Sequence, residues 1–402
     1  MPFIDHLVAA AQAAAPGAQV RVTGPTAVEV SGEGTQWIDA AQVEWQTHGQ
    51  SEESVRAGCD VFVRSMLTAS STPADVPWDA LRPLVRPGAW VTAVLSEAGQ
   101  VRTEDGAPVE GAAPLHHVLN ELLVLAVAID RPDSMTVVSE AMVRGWGLPH
   151  TGPLFERALS NLARERTDQT FGWEQVDGVS LLRAEGPQGY ETSWAALPDM
   201  IRGLAAPGEA LVMLPTRNDL VVVPGTHLRH LEVALDAVGE LYDEAPRRVA
   251  RPAFVMTPGG LQLWRPPADH PLRRAQQLAV AMQARTDYQE LRDHVAQTGS
   301  PDLVPNVNAG GNDEKVVTYA SLPADVIEAG GTVHVPAVVD EVVLVTLDHR
   351  TLLVPVDLLQ QVCGRLPYSE GLLPLCLAVR TFPTEEQLQE LSARSGMEIT
   401  QA

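Results

Sequence analysis

Histidines at helical spacing are the first residues whose chemistry needs an explanation. His227-Leu228-Arg229-His230 sets two imidazoles three residues apart with Glu232 close behind, which a helix would bring to one face and a metal could use. The spacing offers no third ligand, and Arg229 places a positive charge between the two rings. A solvated helix surface accounts for the group. His116-His117 with Glu121 has the four-residue step of a zinc helix but lacks the second histidine and adjoining acid of H-E-x-x-H, so it too reads as a helix face.

Other reactive types give equally little. Cys59, Cys363 and Cys376 cannot all pair and form no C-x-x-C, which suits buried structural thiols in a reducing compartment. Lys315 is the sole lysine and lies in Asn312-Asp313-Glu314-Lys315, a solvated context for the one residue able to form a Schiff base. No G-x-S-x-G elbow, G-x-G-x-x-G fingerprint or P-loop occurs. The adjacent acids Glu52-Glu53 and Glu385-Glu386 suit helix first turns. Neither a cofactor nor a metal is expected.

Four residues remain as candidates for an interaction surface. Trp146 and His150 flank a loop before the helix that begins at Thr151, and Arg217 and Asp219 occupy Pro215-Thr216-Arg217-Asn218-Asp219 between two apolar runs. The latter segment is first of all a hairpin turn, since Asn and Asp tolerate unusual backbone angles. Asp348-His349-Arg350 forms a comparable turn.

Composition bounds the class of protein. The chain has 402 residues, enough for two or three modules, is 45% hydrophobic and carries a net charge of −23. That field opposes binding to phosphates, so neither nucleic acid nor an anionic membrane is expected as a partner. No apolar run is long enough to span a bilayer. The N-terminus Met1-Pro2-Phe3-Ile4-Asp5-His6 has an acid where a secretion signal needs positive charge. These features predict a soluble, cytoplasmic, acidic protein whose partners are other proteins.

Local patterning predicts an α+β fold in which repeated modules of antiparallel strands pack against helices. Helices are expected over Pro2–Ala15, from Ser51 through Met66, over Leu115–Ile129, from Thr151, over Thr226–Leu241 and over Leu272–Val295, the last presenting Leu272, Ala275, Ala279, Met282, Leu291 and Val295 on one face. Strands are expected at Val20–Val22, Val28–Val30, Trp90–Leu95, Met135–Val143, Val179–Leu182, Ala210–Leu214, Leu220–Val223, Ala253–Met256, Leu261–Trp264, Val342–Leu347 and Leu352–Val354. Gly299–Asp313 is the best linker, giving modules over 1–132, 133–298 and 314–402. Three segments resemble one another: Trp78-Asp79-Ala80-Leu81 before Pro87-Gly88, Trp194-Ala195-Ala196-Leu197 before Pro207-Gly208, and Tyr319-Ala320-Ser321-Leu322-Pro323.

Trp146-Gly147-Leu148 leading into Phe155, Ala158, Leu159, Asn161 and Leu162, then Asp177-Gly178-Val179-Ser180-Leu181-Leu182 and Pro215-Thr216-Arg217-Asn218-Asp219-Leu220, resembles the signature run of the YtpQ-like bacterial family of unknown function. The likeness covers about Met135 to Val223 and implies bacterial cytosolic origin, with no reaction or cofactor. A non-catalytic protein-binding or regulatory role is therefore expected. The alternative is an enzyme, possibly a hydrolase, whose site is assembled from distant histidines and acids.

Overall fold

The computed structural model describes residues 2–401 apart from 32–34, 41–42, 45–46, 70–74, 101–112, 132–133, 167–169, 185–189, 206–207 and 312–315. Lys315, the break at Gly32-Glu33-Gly34, Pro132-Asp133, Pro207 and most of the Ser70–Pro77 loop lie outside the described residues.

The fold is α+β. In chain order the elements are α1 (Phe3–Ala14), β1 (Gln19–Val22), β2 (Ala27–Ser31), β3 (Thr35–Asp39), α2 (Glu52–Ala69), β4 (Leu81–Pro87), α3 (Gly88–Gln100), β5 (His116–Val118), β6 (Leu123–Arg131), β7 (Ser134–Val137), α4 (Glu140–Gly145) and α5 (Gly152–Arg164). They continue with β8 (Phe171–Val176), β9 (Val179–Ala184), α6 (Pro198–Leu204), β10 (Ala210–Met213), β11 (Val221–Pro224), α7 (Leu228–Glu244), β12 (Phe254–Thr257), β13 (Gly260–Leu263) and α8 (Arg273–Gln297). The last part holds β14 (Asn308–Gly311), β15 (Val316–Pro323), α9 (Ala324–Glu328), β16 (Val333–Pro336), β17 (Glu341–Val345), β18 (Arg350–Pro355), α10 (Val356–Cys363), β19 (Cys376–Val379), α11 (Glu385–Ser395) and β20 (Thr400–Gln401).

Backbone contacts divide the chain into two units: Met1–Pro83 with Val127–Glu165 and Glu244–Arg247, and Leu84–Ala126 with Arg166–Asp243 and Arg248–Ala402. In the first, an antiparallel sheet β1-β2-β3 packs its Val28, Val30 and Ile38 side against Leu7 and Ala11 of α1 and Cys59 and Val63 of α2. The Asn161 amide of α5 donates to the carbonyls of Trp78 (2.8 Å) and Leu81 (3.0 Å), tying the helix to a turn of 3₁₀ helix at Trp78–Ala80.

The second unit contains an antiparallel sheet of order β13-β12-β10-β11-β9-β8, covered by Leu231, Ala234 and Val238 of α7. A second sheet, β14-β15-β17-β18-β20, is antiparallel except where β15 runs parallel to β17, and β16 pairs with β19 apart from both. The Gly299–Gly311 part of the expected linker belongs to this unit. Its Leu303 N–H donates to Thr332 O at 2.9 Å, the His334 N–H donates to Leu303 O at 2.8 Å, and the segment ends in β14.

Three expectations are corrected by the fold. Leu115–Ile129 is a pair of strands, not a helix: Leu122 to Ile129 is a continuous apolar run in which every residue is buried, and such a run satisfies helical spacing and a central strand equally. Asn120 makes the turn, its Oδ1 accepting from the N–H groups of Leu122 and Leu123 at 3.0 Å each. Trp90–Leu95 is the body of α3, not a strand. Pro87-Gly88 ends β4 and opens that helix, which buries Val91 beside Val124 and Leu373.

The Met135–Val143 strand stops at Val137. Ser139 then caps α4, its Oγ accepting from the Met142 N–H at 3.3 Å, a start signal that the apolar run conceals.

The three look-alike segments take different structures. Val91 lies in α3 and Leu211 in β10, and Trp194-Ala195-Ala196 belongs to a 3₁₀ turn whereas Tyr319–Pro323 belongs to β15. The hairpins β10–β11 and β17–β18 do end alike, with Pro224 opposite Ala210 and Pro355 opposite Glu341 before a helix.

Candidate functional site

The four expected surface residues fall in two separate units. Trp146 closes α4 half-buried, Gly147 follows at φ 65°, and His150 is exposed ahead of α5. Arg217 and Asp219 lie in the β10–β11 turn of the second unit, so the four do not make one site.

The Arg217–Asp219 turn is held by charge and hydrogen bonds. Asp219, 8% exposed, accepts from the hydroxyl of Thr216 and from the Arg183 guanidinium of β9, which also meets Glu174 of β8 at 2.8 Å. The Asn218 N–H donates to Thr216 Oγ1 at 3.1 Å, and the Arg217 carbonyl accepts from Thr192 Oγ1 at 3.1 Å. Burial lowers the Arg217 guanidinium from its ordinary value, opposed by the charges of Glu191 and Tyr190. Every polar group of Asp219 is thus committed to joining β9 to the turn, which is the structural role its Asn-Asp composition suggests.

The histidine groups are equally occupied or exposed. His227 and His230 sit at the start of α7 with ring centroids 5.1 Å apart, while Arg229 pairs with Glu232 at 2.9 Å and removes that acid from them. His116 and His117 are consecutive on β5 and therefore point to opposite faces; Nδ1 of His116 lies 2.8 Å from the Pro114 carbonyl, and Glu121 pairs with Arg265 at 3.6 Å. Among the described residues no group of three or more His, Cys, Asp or Glu side chains could hold a metal ion, and no helix is long and apolar enough to cross a membrane.

Buried acid–base groups lie along α8. Gln276, Gln283, Asp287 and Tyr288 are all buried on its inward face. Burial pushes the Asp287 carboxyl up to about 7; the Gln283 amide, donating at 3.0 Å, opposes the shift and the Glu290 charge adds to it. Burial also raises the phenol of Tyr288, which donates to the Leu375 carbonyl at 2.7 Å. The thiols behave similarly: burial pushes Cys59 up to about 11 and raises Cys363 and Cys376, so all three are protonated and weakly nucleophilic near neutrality. A carboxyl titrating near 7 is a feature of general acids, but Asp287 is only 6% exposed and bonded to a core glutamine.

The outward face of α8 is different. Leu278, Met282, Arg285, Gln289 and Arg292 follow one another at steps of three or four and line a groove of about 550 Å³ whose other wall is Asn306–Ala309 and Tyr319. Leu278 and Met282 are 40% and 43% exposed. Asn308–Gly311 of β14 is exposed throughout and forms the outer edge of its sheet. Met282 and Ala275 were expected on the core face; both are exposed. The buried face instead mixes Gln276, Gln283 and Asp287 with Val280, Ala284, Leu291 and Val295. Those polar residues erase the hydrophobic period from which the facing of the helix would be read. Two apolar residues and two arginines on a surface stripe, next to a glycine-rich strand, were the available signal for the groove.

A scan of protein-family models gives no match to this chain, and searches of curated proteins and of solved structures give no significant match either.

Proposed function

We propose that the chain is a non-catalytic cytosolic protein that binds other proteins, with the groove along α8 as its binding surface. The observation that carries this reading is the open strand edge of β14 beside the exposed Leu278 and Met282. Unpaired main-chain groups next to uncovered apolar side chains are what peptide-binding surfaces offer. The charge of −23 and the disfavoured binding of phosphates support a protein partner over nucleic acid. The likeness of Met135–Val223 to the YtpQ-like family adds bacterial cytosolic origin to the proposal.

The test is affinity capture from native bacterial lysate with the full chain as bait. One or a few proteins recovered reproducibly above background are expected, and recovery of none would overturn the reading.

A further inference from the structure

The groove on α8 has a chemistry that selects among protein partners. Its apolar end is Leu278 and Met282, one turn apart, and its polar end is Arg285 and Arg292, two turns apart on the same helix face. No carboxylate is among the residues lining it. Arg292 is shared with Gln289 and, at 3.9 Å, with Asp293. Arg285 is exposed and makes no hydrogen bond or ion pair among the described residues. In a chain of net charge −23, an unpaired guanidinium in an acid-free groove is a local reversal of sign that favours an anionic occupant.

The opposite wall specifies the occupant's conformation. Asn308 to Gly311 pair with Tyr319 to Val316 of β15 on one side, and no other strand pairs with β14. In an antiparallel ladder each edge residue that does not bond its neighbour directs its N–H and C=O outward, so β14 presents the template for one more strand. Ala309, Gly310 and Gly311 carry little side chain to obstruct a main chain arriving there.

We propose, resting on the protein-binding reading above, that this groove receives an extended acidic segment of a partner protein. The segment adds its main chain to β14, sets alternate acidic side chains against Arg285 and Arg292, and lays an intervening apolar side chain over Leu278 and Met282. Period-two alternation follows from the strand conformation, since successive side chains point to opposite faces.

The experiment is panning of a displayed library of random peptides, roughly ten residues long to span a strand, against the full chain, followed by fluorescence-anisotropy titration of the enriched sequences. Enriched peptides alternating acidic and apolar residues are expected. Arg285→Glu with Arg292→Glu should weaken them by about tenfold or more, and N-methylation at alternate peptide bonds should abolish binding. Enrichment without acidic bias, affinities unchanged in the double variant, or no enrichment at all would each overturn the proposal. So would Arg285-dependent binding of a single-stranded oligonucleotide probe in place of peptide. Lysate partners captured equally by the wild-type chain and the double variant would remove the groove from consideration while leaving the protein-binding reading in place. Capture of no partner by either would remove that reading itself.

Discussion

The side-chain amide of Gln276 is a two-way partner for the backbone of Ala253: its Nε2 donates to the Ala253 carbonyl at 2.8 Å while its Oε1 accepts from the Ala253 N–H at 2.9 Å. Nε2 also reaches the Trp264 carbonyl at 3.0 Å. Gln283, two turns further along α8, repeats the device with the Arg251 N–H at 3.0 Å and the Val249 carbonyl at 3.2 Å. The connector between α7 and β12 has lost water here without gaining a strand partner, and two glutamines supply the missing hydrogen bonds.

Gln276→Leu keeps much of the volume but strands a buried N–H and two buried carbonyls. A loss of about 3 kcal/mol is expected from groups left unpaired, read as a lower midpoint of urea unfolding. An unchanged midpoint would mean that Gln276 does not stabilise the connector.

Asp287 should make stability depend on pH in the direction opposite to an ordinary paired carboxylate. Its folded-state carboxyl titrates at about 7, whereas a carboxylate in the unfolded chain loses its proton at about 3.9. Between those values the folded protein holds one more proton at this position, so its contribution to stability is full below the unfolded value and is lost as pH rises through the folded one. Asp287→Asn, which can still accept from Gln283, should flatten the decline in urea midpoint between about pH 5 and pH 8. An identical pH profile in the variant would locate the titration elsewhere.

Asn161 donates to two carbonyls and has no equivalent in an isosteric acid. Asn161→Ala should cost about 2 kcal/mol by leaving those carbonyls unpaired. Asn161→Asp should cost more, because a carboxylate would face two acceptors. Thermal melts of the two variants test the order; equal stability of the aspartate variant and the wild type would contradict the assigned contacts.

How much was legible in the sequence depended on whether local pattern and burial agreed. The N-terminal helix, α5, α7 and the β17–β18 hairpin were readable because their polar residues face water and their apolar residues the core. The turn at Asp348-His349-Arg350 was readable too: His349 adopts φ 61°, and the Thr346 N–H donates to the Arg350 carbonyl at 2.9 Å. Where the surroundings are apolar on every side, as around β6, spacing no longer distinguishes helix from strand.

The sequence by itself determined the mixed helix and strand composition, the acidic charge, the turn character of Pro215–Asp219, and the lack of motifs for several common enzyme classes. Only the tertiary structure decided which face of α8 is buried, because Gln276, Gln283 and Asp287 are polar by type yet find partners inside. It alone separated Trp146 and His150 from Arg217 and Asp219, and brought Arg285, Met282 and the edge of β14 to one groove. Those relations join residues distant in the chain, and which of them meet is decided by packing, to which local periodicity is blind.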